Sequence, residues 1–207
     1  MTPFDSSLPT SLLWILLAFF CGSLPFSVWL PKLLRKEDVR RFGDSNPGAT
    51  NAFRAGGAGV GLAALLLDVS KAAAPVGWAY FHTDISGWPM LWIATAPVLG
   101  HAFSPFLRFR GGKALAVAFG VWIGLTLWKL SLPALLLVLF WRKVIDLDGW
   151  AVMLALAVLL GIILLWLPQP LFVAVVIGQM IILGWKHRAD LRRRPHLRPW
   201  LSRRFSH

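Results

Sequence analysis

The sequence predicts an all-α, polytopic integral membrane protein with seven transmembrane helices, its N-terminus outside and its C-terminus in the cytoplasm. Of the 207 residues, 57% are hydrophobic and only 14% are charged, whereas about a quarter of a soluble domain is charged. Twelve tryptophans suit a chain with much interfacial surface, because indole rings settle at the headgroup level of a bilayer. The net charge of +12 is gathered between apolar runs.

Seven apolar runs define the predicted spans. In chain order they are Ser11–Leu30, Gly57–Phe81, Trp88–Phe106, Ala114–Trp128, Leu130–Trp141, Trp150–Leu167 and Leu171–Trp185. A straight span needs about 20 residues, so the fifth run, which has Pro133 near its start, is the weakest. Local thinning of the bilayer or polar ends buried in the bundle accommodate short spans. Met1–Thr10 has no basic residue, so we interpret the first run as a retained span and not as a signal peptide.

Charge supports the weak fifth span. The lysines and arginines concentrate in four segments, at about 31–56, 107–113, 142–149 and 186–207. With seven spans all four segments reach one face, which is cytoplasmic by the positive-inside rule, whereas six spans would divide them between both faces. We therefore expect one membrane domain over residues 1–207, with a basic tail that anchors to anionic lipid headgroups from Arg192 onward.

The first cytoplasmic segment contains a polar loop, Gly43–Asn51, closed by Arg54. Asn46-Pro47-Gly48 is typical of a turn, and glycines permit backbone conformations that expose N–H groups. Exposed N–H groups near a helix start bind anions, and Thr50, Asn51 and Arg54 add donors. From the loop alone two roles stay open: an anion site, or a helix start at which Thr50 or Asn51 is only the N-cap.

The second cytoplasmic segment ends in Gly111-Gly112-Lys113, directly before an apolar helix. The spacing is not that of a Walker A motif, but two glycines and a lysine at a helix start still favour phosphate binding. Arg108 and Arg110 are interpreted as topological anchors. His101, at the end of the third span, is expected to make a structural hydrogen bond.

The remaining polar positions are less specific. His187 and Arg188 either anchor a helix end or complete an anion site. Asp68 and Lys71 share a helix face inside the membrane, and we favour a structural ion pair there. Cys21 stands alone, which excludes an intrachain disulfide and a cysteine metal site. No metal-ligand cluster, Ser-His-Asp order or nucleotide fingerprint is present, and several phosphate-type sites at bilayer level suggest a substrate that is both phosphorylated and lipidic.

The chain resembles the acyl-phosphate:glycerol-3-phosphate acyltransferases, the PlsY family. The stretches that carry the resemblance extend over nearly the whole chain and are Gly22–Phe26, Arg41–Arg54, Leu67–Lys71, Gly100–Lys113 and His187-Arg188. The resemblance implies an enzyme of phospholipid biosynthesis in the bacterial inner membrane. It transfers a fatty acyl group from acyl phosphate to the sn-1 hydroxyl of glycerol 3-phosphate, which yields lysophosphatidic acid and phosphate.

The resemblance also implies no cofactor, no metal, no nucleic-acid partner and no covalent acyl-enzyme, with a substrate phosphate accepting the hydroxyl proton. It assigns roles to residues in three groups. The catalytic group is Lys113, Arg54, Asp44 and His187; the phosphate-binding group is Asn46, Thr50, Asn51, Gly111, Gly112, Arg188 and Asp190; the structural group is Asp68, Lys71 and His101.

Several positions depart from the family pattern. Asp44 stands where the family typically has Ser, Asp190 where it has Asn, and Ala114 where it has Gly. Asp146 and Asp148 lie in a stretch that contains Ser in the family, and the terminal Gly-x-Glu-like ending is missing. A carboxylate near a phosphate weakens binding unless it is protonated or paired.

Three explanations of the new carboxylates compete. Asp44 is a general base; or Asp44 and Asp190 are neutralised by Arg41, Arg54 or Arg188; or the chain is a divergent member with another acceptor, or a lipid-binding protein without catalysis. An organic-anion transporter is a further alternative, disfavoured because polarity concentrates at one face and not at the midplane.

Overall fold

A computed structural model describes residues 8–202, and its regular structure over that range is helical apart from one isolated β-bridge between Ile145 and Leu197. The all-α class is therefore confirmed. The α-helices of this range are α1 (Leu8–Ser23), α2 (Phe26–Arg35), α3 (Ala49–His82), α4 (Gly87–Ala102), α5 (Leu115–Thr126), α6 (Trp128–Val144), α7 (Asp148–Trp166), α8 (Pro170–Lys186), α9 (Arg188–Leu191) and α10 (Pro199–Ser202). Short 3₁₀ turns cover Val39–Arg41 and Pro105–Leu107. The predicted external N-terminus, up to residue 7, and the basic residues Arg203 and Arg204 lie outside the described residues.

Four helical stretches of the described residues are long and apolar enough to cross a membrane, and two shorter apolar helices accompany them. The long stretches are Leu8–Arg35, Ala49–His82, Gly87–Leu107 and Asp148–Trp166, and the shorter ones are Leu115–Thr126 and Pro170–Lys186. Large apolar side chains such as Leu165 and Trp185 are exposed on these helices, as contact with lipid requires. The count of seven spans and the orientation stay predictions.

Two predicted runs have different internal structure from a single straight helix. The first is divided between α1 and α2, because Pro25 lacks an N–H and disfavours the helical conformation at Leu24. In α3, Gly57 has φ 77° and ψ −178°, so the polar first turns form a short helix of their own before the apolar part begins. Glycine tolerates this conformation because it has no Cβ.

The unit up to Leu127 is built around α3, which packs against α1, α2, α4 and α5, while α1 packs against α4. Small residues permit these close approaches. A methyl group placed on Gly77 of α3 would lie 3.3 Å from the Cα of Gly124 in α5, and one on Gly22 of α1 would overlap the backbone of Pro97 in α4. Glycine contacts of this kind bring helix backbones together where no hydrophobic effect drives association in lipid.

The unit from Trp128 onward contains α6 to α10, with α7 packed against α6, α8 and α9. The chain after α9 returns to the α6–α7 connection. There Arg198 N donates to Val144 O at 2.9 Å, Asp146 N donates to His196 O at 3.2 Å, and His196 N donates to Asp146 Oδ1 at 3.1 Å. This part of the predicted lipid anchor is therefore fixed to the protein through its backbone.

Candidate active site

The loop between α2 and α3 turns sharply before α3 begins. Gly43 and Ser45 have φ of 55° and 59°, in the left-handed region. Gly48 N then donates to Asn46 O at 2.9 Å, which closes the turn around Pro47. Gly48 is the N-cap of α3 and no side chain caps it, so the alternative that Thr50 or Asn51 is the N-cap is wrong. Both residues lie in the first turn of α3, where the N–H of Asn51 already donates to Gly48 O at 3.1 Å.

Asn51 holds this loop together from inside. Its Nδ2 donates to Asp44 Oδ1 at 2.9 Å and to Asn46 O at 3.0 Å, and its Oδ1 accepts from Arg54 NH1 at 3.3 Å. Asn51 is only 2% exposed, whereas Thr50 and Arg54 are exposed. The amide of Asn51 is thus engaged in orienting the predicted site residues around it.

The loop between α4 and α5 contains two buried glycines that allow it to approach its neighbours closely. A methyl group on Gly111 would overlap the carbonyl oxygen of His101. A methyl group on Gly112 would lie 2.5 Å from His101 Nε2 and 2.8 Å from Pro47 O. Gly112 therefore meets the end of α4 on one side and the first loop on the other, which places the two predicted phosphate-binding loops against each other.

Lys113 joins these two loops electrostatically. Its Nζ lies 2.9 Å from Asp44 Oδ2, with the side chains 26% and 51% exposed respectively. The partner of Asp44 is thus Lys113, and not Arg41, Arg54 or Arg188 as the charge-neutralisation hypothesis proposed. Both members of the pair remain accessible to a ligand from solvent.

The ionisation of Asp44 follows from its neighbours. Partial burial raises the pKa of Asp44. The opposing effects are together larger: the hydrogen bond and charge of Lys113, and hydrogen bonds from the Asn51 side chain and the Asn46 N–H, lower the pKa. The pKa of Asp44 therefore lies below its ordinary value. Asp44 is therefore ionised at neutral pH and paired, which is the state of a counter-ion. A general base works best with a pKa near the working pH, which this environment does not provide.

Ala114 follows Lys113 as the N-cap of α5 and has φ 61° and ψ 13°. A side chain in this left-handed conformation costs about 1–2 kcal/mol, and glycine avoids that cost. The departure from glycine at this position therefore places strain directly beside Lys113.

A buried polar network lies beneath the two loops, as the structural group of residues predicted. Lys71 Nζ lies 2.7 Å from Asp68 Oδ1, 2.6 Å from Leu24 O and 3.0 Å from His101 Nδ1. Ser27 Oγ donates to the other oxygen of Asp68. Ser27 was not among the predicted residues. Its position four residues after Ser23, in an otherwise apolar stretch, places both hydroxyl groups on one side of the chain and could have indicated a buried polar contact.

In the unit from Trp128 onward, Asp190 connects two helix ends. Its Oδ2 accepts from Gly149 N at 3.1 Å, at the start of α7, and lies 3.3 Å from Nδ1 of the buried His187. A carboxylate at a helix N-terminus is favourable because the helix dipole is positive there. His187 is thus one neighbour of Asp190, and the pair is ionic only when the imidazole is protonated.

Three further charged residues of this unit have local partners. Arg142 makes a two-pronged pair with Asp148, at 3.0 and 3.2 Å. Arg188 NH1 donates to Trp185 O at 3.0 Å, and its guanidinium lies 5.1 Å from the centre of the Trp185 ring. Among residues 8–202, no group of three or more His, Cys, Asp or Glu side chains could hold a metal ion.

The chain is similar to a known protein family over most of its length. The family described as glycerol-3-phosphate acyltransferase matches residues 12–196. A glycerol-3-phosphate acyltransferase of Desulfovibrio desulfuricans is 39% identical over 182 residues, covering 87% of this chain and 79% of its own length. That of Maridesulfovibrio salexigens is 36% identical over 183 residues, covering 87% and 91%.

Two crystal structures of PlsY (YgiH), an integral membrane glycerol 3-phosphate acyltransferase, are similar to the chain. The glycerol 3-phosphate form gives a TM-score of 0.79 at 26% identity, covering 95% of this chain and 100% of the crystal chain. The lysophosphatidic acid form gives 0.78 at 26% identity, covering 89% and 91%.

Proposed function

The chain belongs to the glycerol-3-phosphate acyltransferase family, and from this premise we propose that it transfers an acyl group from an acyl phosphate to the sn-1 hydroxyl of glycerol 3-phosphate. It is a membrane acyltransferase of phospholipid synthesis. The proposed mechanism rests on the contact between Lys113 and Asp44 of the first loop. The ammonium group of Lys113, on its flexible side chain, is accessible and follows two glycines in the chain. It lies 2.9 Å from the Asp44 carboxylate, which a substrate phosphate can replace.

Substrate binding requires cations because two phosphorylated substrates repel each other. Lys113 binds a substrate phosphate in place of Asp44, and Arg54 supplies a second cation whose direction is set by the Asn51 Oδ1 contact. Backbone donors at the start of α3, near Thr50, contribute hydrogen bonds without charge. Together these groups hold the reactants in one place, which removes most of the entropic cost of their encounter.

In the reaction, the sn-1 oxygen attacks the acyl carbonyl carbon, and the bond between that carbon and the phosphate oxygen breaks. The phosphate leaves with the bonding electrons, and the hydroxyl proton passes to a phosphate oxygen. Lys113 stabilises the negative charge that develops on oxygen. Asp44 acts as a counter-ion, because its lowered pKa makes it a poor proton acceptor. The acyl chain lies among the apolar helices that face lipid.

Further proposals concern the remaining predicted residues and the topology. His187, Arg188 and Asp190 take part in substrate binding; the sequence resemblance supports this, and their local contacts give His187 and Asp190 defined orientations. We also propose seven spans with the C-terminus in the cytoplasm of a bacterium and the protein in its inner membrane. The asymmetric distribution of lysine and arginine supports that orientation.

The function is tested with purified protein, radiolabelled acyl phosphate and glycerol 3-phosphate, by measuring labelled lysophosphatidic acid. Lys113→Ala is expected to reduce turnover by roughly 10²–10³-fold, the usual cost of losing one group that stabilises a developing oxyanion. Lys32→Ala is the matched control, since Lys32 is an exposed lysine of α2 outside the site. Absence of product with any glycerol-phosphate-like acceptor would exclude the proposed function, and full activity of Lys113→Ala would exclude the site.

A further inference from the structure

The buried ammonium of Lys71 has a complete set of acceptors. Its three neighbours are the Leu24 carbonyl at 2.6 Å, Asp68 Oδ1 at 2.7 Å and His101 Nδ1 at 3.0 Å. An ammonium group has three N–H donors and no acceptor. The side chains of Lys71 and Asp68 are only 2% and 1% exposed, so each donor is directed to a protein atom and their charges compensate each other.

This arrangement determines where His101 carries its proton. Because the ammonium can only donate, Nδ1 of His101 must offer its lone pair to Lys71. A neutral imidazole that accepts at Nδ1 carries its hydrogen on Nε2. The α3 ion pair therefore selects one tautomer of a histidine at the end of α4.

The Nε2 atom of His101 faces the junction of the two loops of the active site. Gly112 lies against it so closely that a methyl group there would be 2.5 Å from Nε2 and 2.8 Å from the Pro47 carbonyl oxygen. We propose that His101 is a positioning residue for acyl transfer: its imidazole, oriented by Lys71, packs through Nε2 against Gly112, which also contacts Pro47, and so holds the loop of Lys113 against the loop of Asp44. Lys71 and Asp68 act through it by holding the tautomer.

The kinetic consequence rests on the proposed function, because Lys113 directly follows Gly112 in the chain. If the two loops separate, Lys113 loses its alignment with the phosphate in both the ground state and the transition state. Because Lys113 both binds a substrate phosphate and stabilises the charge that develops in the transition state, its misalignment is expected to raise KM and also to lower kcat. A merely structural role for His101 would instead lower the folded yield and leave the KM of the remaining protein unchanged.

Two substitutions of His101 separate these roles. His101→Gln places an amide donor near the position of Nε2, whereas His101→Asn reaches only the position of Nδ1. We expect His101→Asn, which no longer reaches the position of Nε2 beside Gly112, to raise the KM for glycerol 3-phosphate roughly tenfold, and His101→Gln to stay within about threefold of the parent. Equal KM values in both variants and the parent, at matched folded yield, would overturn the proposal.

Substitution of Gly112 tests the same junction from the other side. Gly112→Ala inserts a methyl group between His101 and Pro47 and is expected to raise KM in the same way. Gly161→Ala is the matched control, because nothing lies within 4 Å of a methyl group at Gly161. An unchanged KM in Gly112→Ala would contradict the close junction.

The tautomer itself is measured without any turnover, by ¹⁵N NMR of histidine-labelled protein in detergent micelles. The protein has five histidines, and the signal that disappears in His101→Asn is that of His101. We expect Nε2 protonated and Nδ1 unprotonated at neutral pH, and loss of this fixed state in the charge-free double variant Asp68→Asn/Lys71→Met. A proton on Nδ1 in the parent protein would overturn the proposal even if acyl transfer is confirmed, and an Nε2–H signal would stand even if acyl transfer is not found.

Discussion

Replacing Asp44 by asparagine removes one negative charge from the active site while retaining an amide oxygen that can still accept from Asn51 Nδ2, as Asp44 Oδ1 does at 2.9 Å. Lys113 then loses the carboxylate that lies 2.9 Å from its Nζ. In the parent protein a substrate phosphate must displace this carboxylate. In Asp44→Asn the phosphate meets no competing anion, so the KM of the substrate held by Lys113 is expected to fall.

The size of this effect follows from the exposure of the pair. The Asp44 side chain is 51% exposed and that of Lys113 26% exposed, and partly exposed ion pairs contribute about 0.2–1 kcal/mol. Since 1.4 kcal/mol corresponds to a tenfold change in affinity, KM is expected to fall by up to about fivefold. The value of kcat should change little, because the carboxylate competes with binding and does not take part in the reaction.

The assay measures initial rates of lysophosphatidic acid formation while acyl phosphate and glycerol 3-phosphate are varied in turn. The substrate whose KM falls is the one held by Lys113. Asp38→Asn is the matched control, because Asp38 pairs with Arg40 at 2.7 Å in the same loop but outside the site. A fall of kcat by a hundredfold or more in Asp44→Asn would refute the counter-ion role and identify Asp44 as a general base, and unchanged KM values for both substrates would refute the competition.

Three further predictions concern stability. Ala114→Gly relieves left-handed strain of about 1–2 kcal/mol but adds about 0.4–1 kcal/mol of unfolded-chain entropy. Thermal unfolding in detergent should therefore show a net change between about zero and a gain of about 1.6 kcal/mol; a lower midpoint would contradict the strain. Asp190→Ala removes the acceptor of the Gly149 N–H and is expected to lower the free energy of unfolding by about 1 kcal/mol, with Asp190→Asn nearer to the parent; equal losses would exclude the hydrogen bond as the cause. The hydrogen bond from Arg40 lowers the pKa of Asp38 to about 2. The stabilisation from ionised Asp38 is therefore complete above its unfolded pKa of about 4 and is lost as the pH falls towards 2. In Asp38→Asn the free energy of unfolding should fall less steeply with decreasing pH in this range, and an unchanged pH dependence would refute the contribution of the pair.

The helical class could be predicted, and the loops of the candidate active site could be proposed, because both depend on local sequence. Apolar runs, glycines and clustered cations are visible without tertiary structure. The break at Pro25 was equally local, since proline alone disfavours a continuous helix there, but the length of the apolar run concealed it. The early start of α3 was missed because Gly57, which interrupts that helix, also marks the onset of apolarity.

The partners of charged residues could not be predicted, because they depend on which elements pack together. One of the three explanations paired Asp44 with Arg41, Arg54 or Arg188, yet Lys113 reaches it from another loop. Likewise, the i,i+3 spacing predicted the Asp68–Lys71 pair, but nothing in the spacing indicated His101 as the third neighbour of the ammonium. Asp190 contacts His187 and accepts from the Gly149 N–H, and the second contact depends on the packing of α9 against α7.

The return of the chain to the α6–α7 connection also sets an order of events during synthesis. The main-chain partners of Val144 and Asp146 lie at Arg198 and His196, about fifty residues later in translation. At about 5–20 residues per second, the ribosome needs several seconds to supply them. During that interval α6 and α7 lack the main-chain partners of their connection. A nascent chain that stops after α8 therefore contains every long apolar helix of residues 8–202 but not the bridge between Ile145 and Leu197, so this connection is completed only after the helices that it joins.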